Sequence, residues 1–152
     1  MNHKISIIPK ILPIGILMGF SVALPAYITS SFMSQFVGAK YVGALYTVAS
    51  LLTIAIFALT PAILKKVGNF KLTIIIIGAA FLALLGMAFI DSAIFTVLLF
   101  VVYMLYVSTI YLNLDIFIEH GSEDKITGGI RGAYLALLNS SWVVAQIIVG
   151  IF

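Results

Sequence analysis

Pro61-Ala62-Ile63-Leu64-Lys65-Lys66-Val67-Gly68-Asn69-Phe70-Lys71 is a short basic interruption between two long apolar runs, and it holds three of the chain's eight Lys and Arg residues. The run before it covers roughly Tyr41 to Leu64 and the run after it roughly Leu72 to Ile90. Each is close to the ~20 residues that an α-helix needs to cross a ~30 Å hydrocarbon core. Membrane strands would alternate in polarity over ~10 residues, and these runs do not. The stretch therefore reads as the hinge of a tight helical hairpin in a membrane.

Working outward, three further apolar runs appear, at roughly Ile11 to Phe32, Ala93 to Asp115 and Ile130 to Phe152. Asp91-Ser92 alone divides the third run from the fourth, which predicts a second tight hairpin. The 152 residues are 63% hydrophobic and 9% charged, whereas soluble domains run at about 45–50% apolar and about 25% charged. A soluble fold of this length could not enclose so much apolar surface. The expected fold class is an all-α membrane protein, a helical bundle of five spans with the lipid bilayer as its surroundings. There is no cysteine, so disulfides, thiol catalysis and thiolate metal sites are excluded. The net charge of +3 includes no dense basic block, which argues against nucleic acid as a partner. His3, Lys4 and Lys10 precede the first run, which is too long for a cleaved signal and reads as a signal anchor.

Charge placement sets the expected topology. Lys4, Lys10, Lys65, Lys66, Lys71, Lys125 and Arg131 fall on one side of the five spans, and Lys40 alone falls on the other. The excess of basic residues on cytoplasmic loops then puts the N-terminus and the hinge in the cytoplasm, in a multi-pass protein of the plasma membrane. The last run ends at Phe152 with no polar cap. With an odd span count, this suggests a portion of a longer protein, a natural five-span protein being the alternative.

Ionisable groups inside spans are costly and usually functional. Asp115, near the cytoplasmic end of the fourth run, is the candidate here, on one helical stripe with Ser108, Tyr111 and Glu119. It reads as an interfacial acid able to pair with a hinge lysine. Asn139, Trp142 and Gln146 form a polar stripe in the fifth run, and Tyr103, Tyr106 and Asn113 lie in the fourth. In the first run Ser21, Tyr27 and Thr29 cluster around Pro25, which frees a backbone carbonyl and permits a kink. Such amides and phenols either bind a polar solute or serve as interhelical hydrogen-bond glue. Polar faces on neighbouring spans favour a shared cavity, with Tyr27, Tyr103, Tyr106, Asn113, Asn139 and Gln146 as substrate candidates.

Gly15 and Gly19 form a G-x-x-x-G pair, read as a close helix contact. Gly128-Gly129-Ile130-Arg131-Gly132 lacks the preceding strand and the G-K-[ST] of a phosphate loop, so its glycines are read as a sharp turn with close approach to a neighbour. No H-E-x-x-H, G-x-S-x-G or acidic metal pair is present. Catalysis is unsupported, and neither cofactor nor metal is implied.

Span, Lys-Lys-x-Gly-x-x-Lys hinge, span resembles the loop between the second and third helices of the major facilitator superfamily, where the pattern is G-x-x-x-D-[RK]-x-G-[RK]-[RK]. Gly68 matches the second glycine, Lys66 the basic residue before it, and Lys71 the trailing charge. Pro61 stands in place of the first glycine and Lys65 in place of the acid. The segment from Asp115 through Gly129-Ile130-Arg131-Gly132 to Asn139 is similar to the connection between the family's fourth and fifth helices. The family's antiporter motif is met only by Gly150 in Ala145-Gln146-Ile147-Ile148-Val149-Gly150. The resemblance implies a secondary transporter of a small solute, driven by a coupling ion such as a proton or sodium. Residues 1–152 would form five helices of its N-terminal six-helix half, with the C-terminal half of the same protein as the missing partner. It implies a cytoplasmic latch of Lys66, Gly68, Lys71, Asp115 and Arg131, in which Asp115 supplies the acid that the hinge lacks. The alternative expectation is a small membrane scaffold or assembly subunit without transport.

Overall fold

The computed structural model describes the backbone of residues 8–122 and 124–151 and the side chains of residues 13–122 and 126–151. His3, Lys4 and Glu123, and the side chains of Lys10, Asp124 and Lys125, lie outside the described residues. The described chain is helical from end to end: α1 (Ile8–Val37), α2 (Ala39–Val67), α3 (Asn69–Phe89), α4 (Ala93–Gly121) and α5 (Asp124–Ile151). All five helices contain a stretch long and apolar enough to cross a membrane. Large apolar side chains stand exposed along them, with Phe89 83% and Ile94 74% exposed. Water would not tolerate so much uncovered hydrocarbon, whereas lipid does. The chain is a multi-pass membrane protein with an all-α helical bundle fold.

The helices are longer than the apolar runs. At 1.5 Å per residue, the 29 residues of α2 and of α4 extend roughly 43 Å, the depth of a bilayer with its headgroup layers. Polar residues at the ends therefore stay helical. The basic stretch from Pro61 to Lys71 is accordingly not a loop: Pro61 to Val67 complete α2, Asn69 opens α3, and Gly68 alone separates them. In the same way α4 runs on to Gly121 and α5 begins at Asp124. Between α3 and α4 lie Ile90, Asp91 and Ser92, close to the expected break.

Two compact units are distinguished, one holding the chain to Thr29 together with Leu114 onward, the other holding Ser30–Asn113. In the second unit, both inter-helix turns from α1 to α3 are single glycines. Gly68 donates its N–H to Leu64 O at 2.9 Å and accepts from Leu72 N at 3.1 Å, so one residue closes α2 and starts α3. Gly38 repeats this, donating to Ser34 O and accepting from Tyr41 N, each at 3.0 Å. Their φ/ψ pairs, 80/152° and 78/142°, lie in or at the edge of a region that only glycine occupies without a cost of roughly 1–3 kcal/mol. The α3–α4 hairpin is tight because Gly86 lets Leu99 approach: a Cβ on Gly86 would lie 2.6 Å from Leu99 Cδ1. The rings of Tyr46 and Phe100 meet edge to face at 5.0 Å. Buried positions on α4, including Thr96, Phe100, Tyr103, Tyr106 and Ile110, recur every three or four residues as one helical face.

In the first unit α1 packs on α5. The G-x-x-x-G pair is a close helix contact as expected: a Cβ on Gly15 would meet the Tyr134 ring at 2.7 Å, and one on Gly19 would meet Ser141 Cβ at 2.7 Å. Ser141 Oγ lies 3.0 Å from Leu137 O and 3.3 Å from Ile16 O, a hydrogen bond across the seam. Tyr134, Leu138, Ser141 and Ala145 form the buried stripe of α5. Gly128, Gly129 and Gly132 correct the reading given them above. They sit inside α5 and face open space, making neither a turn nor a close contact.

Gly19→Leu should push α1 off α5 and cost on the order of 1–3 kcal/mol, as overpacking does, lowering the thermal midpoint in detergent. Gly43→Leu, on α2 with nothing within 4 Å, should leave the midpoint unchanged. Equal effects from the two substitutions would refute the seam.

Candidate functional site

The acid expected to serve the hinge has a different partner. The carboxylate of Asp115 on α4 receives both Nε and Nη2 of Arg131 on α5, the latter at 2.7 Å. Arg131 Nη2 also lies 3.8 Å from Glu119 Oε2. Asp115 and Glu119 are one turn apart on α4, so they share a face, and the chain's one arginine reaches both. A planar guanidinium gripping a carboxylate through two nitrogens is a stiffer joint than a lysine contact. Both side chains are about 40% exposed, which keeps the pair's strength below that of a dry one. Lys65, Lys66 and Lys71 are exposed and make no ion pair among the described residues.

Asn113, read above as lining a substrate cavity, is fully buried in a hydrogen-bond network instead. Its Nδ2 donates to Thr73 Oγ1 at 3.2 Å, and its backbone O accepts from Asn69 Nδ2 at 3.0 Å. Thr73 Oγ1 in turn donates to Asn69 O at 2.8 Å. The start of α3 is thus tied to α4 by neutral amides rather than charges. Asn69 and Thr73 went unremarked in the sequence. Their signal was an i, i+4 polar pair directly after Gly68. The amide oxygens of Asn69 and Asn113 are buried and accept no hydrogen bond from the described residues, so the network has capacity for further donors.

Tyr103 and Tyr106 are buried on α4 with ring centroids 6.0 Å apart. Tyr27, half-buried on α1, meets Trp142 of α5 in a T-shaped contact at 6.2 Å. Thr29 hydrogen-bonds the carbonyl of Pro25, and α1 continues unbroken through that proline. Asn139 and Gln146 are exposed on α5, and Asn139 Nδ2 donates only back to Leu135 O, at 2.8 Å. Tyr103, Tyr106 and Asn113 belong to one compact unit, and Tyr27, Asn139 and Gln146 to the other. No cluster of metal-binding side chains occurs among the described residues.

No family model, curated protein or solved structure matches the chain.

The Asp115–Arg131 pair should be separable by a double-substitution cycle. Asp115→Asn and Arg131→Gln should each lower thermal stability, and the double substitution should cost less than their sum by about 1 kcal/mol. Arg131→Lys should recover only part of the loss, because lysine cannot form the two-point grip. Strict additivity would show that the pair contributes nothing.

Proposed function

We propose that this chain forms part of a secondary transporter that moves a small solute by alternating access. The observation that carries the reading is the exposed face of α5. At 3.6 residues per turn, Gly128, Gly132, Asn139, Gln146 and Gly150 share one sector of that helix, bordered by Leu135 and Val143 and turned away from the buried stripe of Tyr134, Leu138, Ser141 and Ala145. Leaving amide groups in hydrocarbon costs several kcal/mol, so such a face suits a water-filled or solute-lined path better than lipid. The Tyr27–Trp142 aromatic pair flanks it, an apolar wall beside polar groups of the kind that small-molecule sites use. The glycines keep the helix surface low at the two ends of that sector.

The likeness to the major facilitator superfamily supports the same reading. In such transporters the substrate site lies near the midplane and repeats rock about it. The Asp115–Arg131 grip makes α4 and α5 suited to moving as one piece. A proton or sodium is the proposed coupling ion. The proposed site is the plasma membrane, with the N-terminus and the Gly68 turn on the cytoplasmic side. The scaffold alternative uses the same amides of α5 to bind a partner helix.

Solute uptake by cells expressing the protein separates the two. Asn139→Leu and Gln146→Leu should cut uptake about tenfold or more, the worth of one lost hydrogen bond of roughly 1–3 kcal/mol, while the thermal midpoint holds. Uptake that persists in both variants sinks the pathway assignment, and loss of a co-purifying membrane partner in its place would establish the scaffold.

Topology has its own readout, because the chain has no cysteine. Lys40→Cys should react with a membrane-impermeant maleimide in intact cells, and Lys71→Cys should react only after the membrane is opened. The opposite pattern would invert the orientation.

A further inference from the structure

A partly open cavity of about 230 Å³ lies among α2, α3 and α4, all within the second unit. Ile56, Thr60 and Ile63 line it from α2, Leu72, Ile76 and Ala79 from α3, and the Val102–Thr109 stretch closes it from α4. The threonines do not make it polar. Thr60 Oγ1 donates to Ile56 O at 2.8 Å and Thr109 Oγ1 to Leu105 O at 2.6 Å, so both hydroxyls are spent on their own helices. The wall is apolar, with the Tyr106 side chain the one aromatic among aliphatic neighbours. An apolar cavity of about 150 Å³ already admits a benzene ring, so this one has room for a length of hydrocarbon chain.

One end of the cavity lies toward the Gly68 turn. Of the lining residues Ile63 and Leu72 are nearest that turn in sequence, and Lys66 lies three residues beyond the first while Lys71 immediately precedes the second. Three residues of helix rise about 4.5 Å, well within reach of a lysine side chain. Lys66 and Lys71 are exposed and make no ion pair among the described residues. Two uncommitted cations thus flank the turn near one end of an apolar slot, in a hairpin bathed by lipid.

We propose that the α2–α3–α4 cavity is a binding site for an anionic phospholipid, with an acyl chain in the slot and the phosphate at Lys66 and Lys71. Charge and shape divide the work. Bilayer interior is as apolar as the slot, so burial of the chain drives nothing by itself. The slot supplies fit and van der Waals contact, and the lysines supply selectivity. Basic groups near a bilayer surface attract anionic headgroups by roughly fivefold in affinity each. At 3.6 residues per turn Lys66 and Lys71 stand to the side of the cavity-lining faces of α2 and α3, within a long side chain's reach, whereas Lys65 points to the opposite side of α2 from Ile56, Thr60 and Ile63 and takes no part. The inference stands apart from the transport reading, since a scaffold would hold the same lipid.

The test is photo-crosslinking in nanodiscs with a phosphatidylglycerol and a phosphatidylcholine that carry the same diazirine-labelled chain. The phosphatidylglycerol probe should label α2, α3 and α4 around the slot several-fold more than the phosphatidylcholine probe. Lys66→Gln with Lys71→Gln should lower that preference by roughly fivefold per lysine, and Lys65→Gln should leave it unchanged. Ala79→Phe should fill the slot and remove the label there. The lysines are exposed, so their substitution tests the site even where the Ala79 variant folds poorly. Equal labelling by the two lipids, labelling spread evenly over all five helices, or a preference that survives loss of both lysines overturns the proposal.

Discussion

Each backbone N–H and C=O within a bilayer must find its partner inside the protein, because lipid offers none. That constraint governs this chain more than any side-chain contact. It makes the spans helical, and it also limits what joins them. A long loop would carry polar backbone groups into the headgroup layer at an entropic cost. Gly38 and Gly68 avoid this by using one N–H to end a helix and one C=O to start the next. Only a residue without a side chain takes that backbone conformation freely. The two turns share one geometry because they solve one hydrogen-bonding problem.

Packing follows from the same solvent. Lipid tails are as apolar as leucine, so apolar burial gives no reason for helices to associate. Close approach and hydrogen bonds have to do it. α1 and α5 meet where Gly15 and Gly19 admit Tyr134 and Ser141, and α3 and α4 meet where Gly86 admits Leu99. α1 and α5 are also the two spans with the lowest mean hydropathy, 1.5 and 1.7 against 2.2 to 2.6 for the others. Their seam includes a serine hydroxyl shared between helices. Where hydrophobicity is lower, small and polar contacts replace it.

The helical class, the number of spans and both hairpins are legible in the apolar runs, since 20-residue hydrophobicity is a local property. The G-x-x-x-G seam is legible for the same reason, as both glycines lie on one face of one helix. Helix ends are not, because polar residues such as Lys65 and Glu119 remain helical out to the headgroups, where hydropathy has already fallen. Partner choice is not legible either. Asp115 could be matched by charge to any of several cations, and a separation of 16 positions along the chain does not say that Arg131 is the one in reach. Asn113 illustrates the point in reverse. Its residue type suits a substrate cavity, and only its position against Asn69 and Thr73 assigns it to tying α3 to α4. The glycines at 128, 129 and 132 misled because a glycine run signals a turn in water, whereas in a span it also serves to thin one face of a helix.

These assignments explain one another at the Gly68 turn. The stretch from Pro61 to Lys71 carries Lys65, Lys66 and Lys71 and no acid. The turn therefore cannot neutralise itself. Asp115 is committed to Arg131 through two nitrogens, a grip that a lysine cannot match. The α3–α4 tie beside the turn is built from neutral amides, which do not consume positive charge. Three lysines are left with water and lipid as their surroundings. Solvated lysines at a membrane surface are ordinary, but two of these lie near one end of an apolar slot. A turn with no acid of its own, beside a slot open to lipid, is thereby left to engage the bilayer, as the proposed lipid site requires.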